Sequence, residues 1–244
     1  MIFLLLSRIQ EKIKKILLDL FLPKQCLGCK QPDTYLCRAC FNSISLYPNN
    51  TCFFCKRITW QGKICIECQK QNYLDRVISA TEYKNPLVQE LIRNFKYHYV
   101  KELAKPLSKL LIKSLESTST ISTNSTSSTI IPIPLYGTRM RKRGFNQAEL
   151  LAKEITDYFN LSLETNALKR IVSTEPQANI KNNDEKRKAN IKGVFEINPE
   201  CSVDGKIIVL IDDVATTGAT LIEAAKVLKK SNAKEVWALV VAKG

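Results

Sequence analysis

The chain has 244 residues, 45% of them hydrophobic and 25% charged, which is a globular rather than a disordered composition and is long enough for one or two domains with a sizeable core. A formal net charge of +14 favours anionic partners. Nucleic acid, phosphorylated metabolites and an acidic membrane surface all fit, and charge alone does not choose among them.

Residues 1–23 read as an amphipathic helix. Ile9, Ile13, Ile16, Leu17 and Leu20 recur at helical spacing, with Arg8, Glu11, Lys12, Lys14 and Lys15 between them. The apolar start, Met1 to Leu6, is too short for a signal segment or a membrane span. Packing on the protein is the ordinary role for such a helix; peripheral contact with a membrane surface is the alternative.

Residues 24–72 form a cysteine-rich module. Eight of the nine cysteines make four Cys-x-x-Cys pairs: Cys26 and Cys29, Cys37 and Cys40, Cys52 and Cys55, Cys65 and Cys68. Two residues between thiolates let both sulfurs face one tetrahedral metal, so the spacing predicts structural zinc. A segment this short cannot build its own apolar core, and metal binding would supply the folding energy. A disulfide-stapled module is the alternative. The lack of a convincing secretory signal favours a reducing, cytoplasmic setting and zinc. Two sequentially ligated ions are expected, with a cross-braced arrangement or one occupied site left open by the spacing. Cys201 stands alone and reads as an ordinary semi-buried residue.

Residues 77–244 read as an α/β domain. Val77 to Tyr83 is a strand, and Asn85-Pro86 caps a helix running to about Lys96. A second helix spans about Lys101 to Leu115. Residues 117–129 are almost entirely Ser and Thr and read as a solvated insertion rather than a site. Ile130 to Pro134 is a strand that delivers the chain into a basic loop, Leu135 to Gln147. Asn146 to Glu149 resembles a capping box for a helix to about Phe159. A short strand near Leu168 to Val172 and a return strand, Gly193 to Ile197, enclose a second basic loop that includes Gln177 and Arg187 to Asn190. His98 reads as a surface residue rather than a general base.

The most informative stretch is Lys206 to Thr220. An apolar, β-branched run, Ile207 to Ile211, predicts a strand buried on both faces. Asp212 and Asp213 sit at its carboxyl end, and Ala215-Thr216-Thr217-Gly218-Ala219-Thr220 then opens an apolar-periodic helix. In an open α/β sheet that position is where ligands bind. Helix-terminal N–H groups and hydroxyls suit a phosphate, while paired carboxylates suit sugar hydroxyls or a nearby Mg²⁺. A Walker-type ATPase is a poorer fit, because the chain has no G-x-x-x-x-G-K-[ST]. Glu235 to Ala242 closes a mostly parallel sheet.

This stretch resembles the 5-phosphoribosyl-1-pyrophosphate (PRPP) loop of type I phosphoribosyltransferases. The likeness extends to an ordered set: the Cys-x-x-Cys pairs, Phe95-Lys96-Tyr97, Ile131-Pro132-Ile133-Pro134, Arg143-Gly144-Phe145-Asn146-Gln147, Gln177 with Arg187 to Asn190, and Ile211 to Thr220. Together these resemble the ComF/GntX family over about residues 24–244. The resemblance implies a phosphoribosyltransferase-like sheet behind a zinc finger, and a role in natural competence. It implies that Asp212 and Asp213 take the ribose hydroxyls and that Ala215, Thr216, Thr217, Gly218, Ala219 and Thr220 wrap the 5-phosphate. Arg143 and, from a mobile flap, Arg187 would reach the pyrophosphate, with Mg²⁺ bound through PRPP. Single-stranded DNA, a competence helicase and DNA-processing proteins are the partners implied. Three readings stay open: a competence factor that binds DNA and PRPP, a phosphoribosyltransferase with an unidentified acceptor, and a zinc-dependent adaptor. Exposed basic loops with Phe95, Tyr97, Tyr99 and Phe145 nearby would suit base stacking, or equally a core edge and a phosphate site.

Overall fold

The computed structural model describes residues 24–118, 128–172 and 193–244. The N-terminal amphipathic segment, most of the Ser/Thr stretch (119–127), and the flap with Gln177, Arg187 and Asn190 lie outside the described residues. The chain divides into two compact units, one ending at Ile44 and the other spanning Ser45–Gly244. The first cysteine set therefore belongs to one unit. The second, read from sequence as part of the same 24–72 module, belongs to the unit that carries the sheet.

The first unit is a cysteine hairpin followed by a short helix, α1 (Arg38–Asn42), whose N-cap is Cys37. The second unit repeats this plan. Its helix α2 (Ile66–Asn72) is preceded by Cys65 at the N-cap. In both hairpins the residue after the second cysteine, Lys30 or Lys56, has positive φ (67° and 63°). Its N–H donates to the carbonyl of the first cysteine, Lys30 to Cys26 at 2.8 Å and Lys56 to Cys52 at 3.1 Å. That tight turn aims the intervening N–H groups at the first sulfur.

The sheet has five parallel strands in the order β1 (Arg76–Glu82), β7 (Glu235–Lys243), β6 (Ile207–Ala215), β2 (Ser128–Pro132), β3 (Ser162–Leu163). Helix α3 (Pro86–Tyr97) follows β1, with the Asn85 side chain accepting from the N–H groups of Leu87 and Val88, as the Asn-Pro pair predicts. A 3₁₀ turn (Lys101–Leu103) leads into α4 (Ala104–Thr118), so the expected second helix extends three residues beyond Leu115 and its first turn is tightened. The basic segment after β2, expected as a loop, forms a short helix, α5 (Gly137–Arg143), closed by Gly144 at φ 72°. A left-handed stop of this kind suits glycine. Helix α6 (Gln147–Phe159) has Asn146 as its cap, accepting from Ala148 N–H. Strands β4 (Leu168–Arg170) and β5 (Phe195–Ile197) form the expected antiparallel pair. Helix α7 (Ala219–Lys230) follows β6.

Alternation along the strands divides the core. Ile208 and Leu210 of β6 and Val236, Ala238 and Val240 of β7 join one apolar cluster with Leu221, Ala224, Ala225 and Leu228 of α7. The opposite face, with Val209, Ile211, Leu239 and Val241 all buried, is covered by α4 and α6. Edge strand β1 is protected by the chain before it. Tyr47 N–H donates to Ala80 O at 2.9 Å, and buried Asn49 bonds both the N–H and the carbonyl of Ser79 at 2.9 Å. Occupying the edge groups of β1 in this way blocks further strand pairing. Among the described residues, no helix is long and apolar enough to cross a membrane.

Leu210 is fully buried, whereas Ile58 is 86% exposed. Leu210→Ala is expected to lower unfolding free energy by about 2–5 kcal/mol, and Ile58→Ala by less than about 0.5 kcal/mol, in denaturant titrations.

Candidate functional site

The site lies where neighbouring strands end at different heights. Strand β6 pairs with β2 only as far as Ile211 opposite Pro132, but with β7 as far as Ala215 opposite Lys243. Asp212 and Asp213, expected at the end of the strand, are inside it but beyond its contact with β2. One edge of this acidic segment is therefore not covered by β2, and it lies at the carboxyl ends of the strands, the usual ligand position in parallel sheets.

Adjacent strand residues point to opposite faces, so the two carboxylates have different surroundings. Asp213 is 6% exposed and accepts an ion pair from Lys96 Nζ of α3 at 2.7 Å. Burial works against a charged Lys96, yet Asp213 and Asp212 raise its pKa overall. Asp212 Oδ1 turns back to accept from Asp213 N–H at 2.8 Å. Burial, and then the charge of Asp213, push its carboxyl up to about 7, against the opposing pull of Lys96 and Arg170.

Arg170 lies next to this pair, and Arg139 and Arg143 follow it in a chain of neighbouring cations. Arg170, from β4, is pushed down to about 10, first by burial and then by Arg139, with Asp212 acting in the opposite sense. Arg139 of α5 is lowered by burial and by Arg143. Arg143 donates to Gln147 Oε1 at 2.9 Å, and its guanidinium lies 5.6 Å from the centre of the Tyr97 ring. Crowded cations that depress one another are suited to a multiply charged anion. Of this network, sequence reading singled out Asp212, Asp213 and Arg143. Lys96 stands in the Phe95-Lys96-Tyr97 motif without an assigned role, and nothing local marks Arg170, one of two adjacent cations on a short strand. Phe95 and Phe145 are buried and pack ring to ring at 5.8 Å, so they belong to the core edge; Tyr97 and Tyr99 are exposed.

The turn after β6 completes the site. Gly218 is the N-cap of α7 with φ 76°, and Thr217 Oγ1 accepts from Ala219 N–H at 3.4 Å. The first turn of α7 presents N–H groups that have no acceptor within the helix. Ala215 ends β6, and Thr216, Thr217, Gly218, Ala219 and Thr220 lead from it into α7, with only Val214 between Ala215 and the acidic pair. Arg187 lies outside the described residues.

The cysteines group sequentially, Cys26, Cys29, Cys37 and Cys40 in one set and Cys52, Cys55, Cys65 and Cys68 in the other, each with all sulfurs within 4.8 Å of one another. Tetrahedral zinc with Zn–S near 2.3 Å needs sulfurs about 3.8 Å apart. Cys29 and Cys37 are 3.6 Å apart, and Cys55 and Cys65 3.5 Å. Burial alone would raise the Cys26 thiol, but N–H groups of Cys37, Cys29 and Gly28 bring it down to about 6. Against the same effect of burial, those of Cys55, Cys65 and Phe54 bring Cys52 to about 7. In each set another thiol, Cys40 or Cys68, is pushed up to about 12, for Cys40 chiefly by its contact with Cys37 and for Cys68 chiefly by burial. Four thiolates this close need a cation to be ionised together, and both sets suit zinc.

The raised Asp212 carboxyl gives a pH signature. The folded protein holds this proton more tightly than the unfolded chain between about pH 4 and 7, so ionisation of Asp212 costs native stability as pH rises through that window. Asp212→Asn is expected to melt at higher temperature than wild type at pH 8, with the gap closing toward pH 4, as followed by thermal denaturation.

Comparison with known proteins agrees with this geometry. The phosphoribosyl transferase domain family matches residues 93–244. Competence protein F of Haemophilus influenzae is 30% identical over 209 residues, covering 84% of this chain and 89% of that protein. The DNA utilization protein YhgH of Escherichia coli K12 is 29% identical over 222 residues, 84% of this chain and 96% of that protein. Competence protein ComFC of Bacillus subtilis is 27% identical over 220 residues, 84% and 83% respectively. With a type I phosphoribosyltransferase sheet and two four-cysteine groups, the chain belongs to the ComF family.

Proposed function

We propose that this protein binds PRPP with Mg²⁺ at the end of β6 and uses that site in handling single-stranded DNA during natural competence, in the cytoplasm. The observation that carries the reading is the junction itself: an acidic pair followed within a few residues by a hydroxyl-rich helix N-terminus, with Lys96 on Asp213, Arg170 beside Asp212, and Arg139 and Arg143 next to Arg170 in turn. The names of the relatives, competence and DNA utilization, support the DNA-related half.

In this reading the N–H groups of Thr217 to Thr220 and the threonine hydroxyls hold the 5-phosphate. Asp212 accepts from the ribose hydroxyls through its outer oxygen. Asp213 stays paired with Lys96, which fixes the strand and keeps the acidic segment from repelling an anionic ligand. Arg143, held in place by Gln147 and Tyr97, meets the pyrophosphate with Arg139 and Arg170, and Arg187 closes on it from the flap. Mg²⁺, held mainly by ligand oxygens with Asp212 nearby, would neutralise charge on the pyrophosphate. If an acceptor attacks the anomeric carbon, the same cations stabilise the departing pyrophosphate. Exposed Arg141 and Lys142 of α5 and exposed Tyr97 and Tyr99 are the proposed contacts for DNA.

Titration calorimetry with Mg²⁺ and PRPP tests the site. Asp212→Ala is expected to weaken binding by about tenfold or more, the loss of charge-assisted hydrogen bonds worth about 1.5–3 kcal/mol, while the protein stays folded. Equal affinity in wild type and variant, or no binding by either, would contradict the reading. Replacing Arg141 and Lys142 with alanine should weaken single-stranded DNA binding and flatten its salt dependence, and unchanged affinity would place DNA elsewhere.

A further inference from the structure

The second cysteine set is built into the sheet-bearing unit at both ends of helix α7. At the N-terminal end, the two residues between Cys52 and Cys55 are Phe53 and Phe54, and their rings stand edge to face at 5.1 Å. They press on Gly218. A Cβ placed there would lie 3.2 Å from Phe53 Cε1 and 3.3 Å from Phe54 Cε1, so the knuckle touches the backbone of the turn directly. Phe53 is buried in the same apolar cluster as Ala215, Ala219 and Leu221, with Phe54, Cys65 and Cys68 packed against it. Lys56 Nζ donates to Phe53 O at 2.8 Å, and Lys243 Nζ lies 4.8 Å from the centre of the Phe53 ring, which fixes that ring from the side of β7.

At the C-terminal end of α7, Asp75 performs a similar task. It follows the α2 helix that carries Cys68. Its carboxylate accepts from Lys229 of α7 at 2.8 Å, from Val236 N–H at 2.7 Å and from Gln69 of α2. The helix whose N-terminus forms the phosphate turn is thus gripped at each end by residues flanking one set of cysteines. The conformation of the Phe53-Phe54 turn depends in turn on that set, because the Phe54 N–H is one of those aimed at Cys52 Sγ.

The geometry points to Phe53 and Phe54 as positioning residues for the phosphate turn, with metal in the Cys52, Cys55, Cys65 and Cys68 set required to hold them there. The inference rests on the PRPP reading of that turn but concerns the mechanical link between the cysteine set and Gly218, which can be measured without PRPP. With no Cβ and φ 76°, Gly218 has no side chain of its own to fix its height. The aromatic pair below it does so. Demetallation would release the knuckle, let the turn drop, and misplace N–H groups whose value to an anion depends on their direction.

The test uses the full chain and three readouts: metal content, amide exchange at Ile222, and affinity for Mg²⁺ with PRPP. Ile222 N–H is bonded to Gly218 O at 2.9 Å and reports on the first turn of α7. Phe54→Ala should retain metal, exchange at Ile222 about tenfold faster or more, and bind PRPP about tenfold more weakly, with Phe54→Leu restoring most of both. Chelating the metal from wild-type protein should reproduce the faster exchange, and this arm serves if Phe54→Ala does not fold. Unchanged exchange at Ile222 in both the variant and the demetallated protein overturns the link. Wild-type protein that shows the exchange effect but takes no PRPP sustains the link and defeats the proposed ligand instead.

Discussion

The unequal pairing of β6 with its two neighbours is the constraint from which the site follows. Ile133 N–H donates to Ile211 O at 2.9 Å, so β2 directs its odd-numbered donors toward β6. Its even-numbered positions then face β3, and the last of them, Pro132, has no N–H to give, nor has Pro134 just beyond the strand. That explains both why β3 pairs over only two residues and why β2 leaves the sheet for α5. On the other side β7 continues alongside β6 to Ala215. The acidic pair therefore gains a rigid backbone on one side and an opening on the other. A loop could offer the same carboxylates, but not at a fixed height beside the N-terminus of α7.

Electrostatics then separates two residues that look equivalent in the sequence. Pleating turns Asp213 toward Lys96, where a partly buried ion pair keeps it in place. It turns Asp212 toward Arg170, where burial and its neighbour raise its proton affinity. Asp213 is thus held in an ion pair, while Asp212 binds its proton more tightly than an ordinary carboxylate. The arginines on α5 and β4 come from distant parts of the chain, so their mutual crowding is a product of the fold.

Most elements were legible as sequence. The Asn85-Pro86 and Asn146 caps, the apolar run of β6, and the antiparallel return at Phe195 to Ile197 all carry local signals that the packing reinforces. The basic helix α5 was not, since Gly137, Thr138 and four cations give no apolar period; its C-terminal end is anchored by Arg143 on Gln147 and Tyr97 and by the left-handed Gly144. Sequence grouped both cysteine sets into one module because their spacings are similar. What separates them is the identity of the residues inside the second knuckle. Phe53 and Phe54 join the apolar core of the sheet, whereas in the first knuckle the half-buried Leu27 is followed by an exposed Gly28 that has no side chain to contribute. Arg170 and the partnership of Lys96 with Asp213 depend on contacts between residues far apart in sequence, which no local pattern encodes.

The central claim is that the turn from Thr216 to Thr220 receives a sugar 5-phosphate beside Asp212. Amide-resolved NMR titration with ribose 5-phosphate tests it most directly, because that probe carries the phosphate and the ribose hydroxyls without the pyrophosphate. The account predicts saturable shifts concentrated on the amides of Thr216 to Thr220 and on Asp212 and Asp213. Shifts confined to the exposed lysines and arginines, or none at the turn, would contradict it.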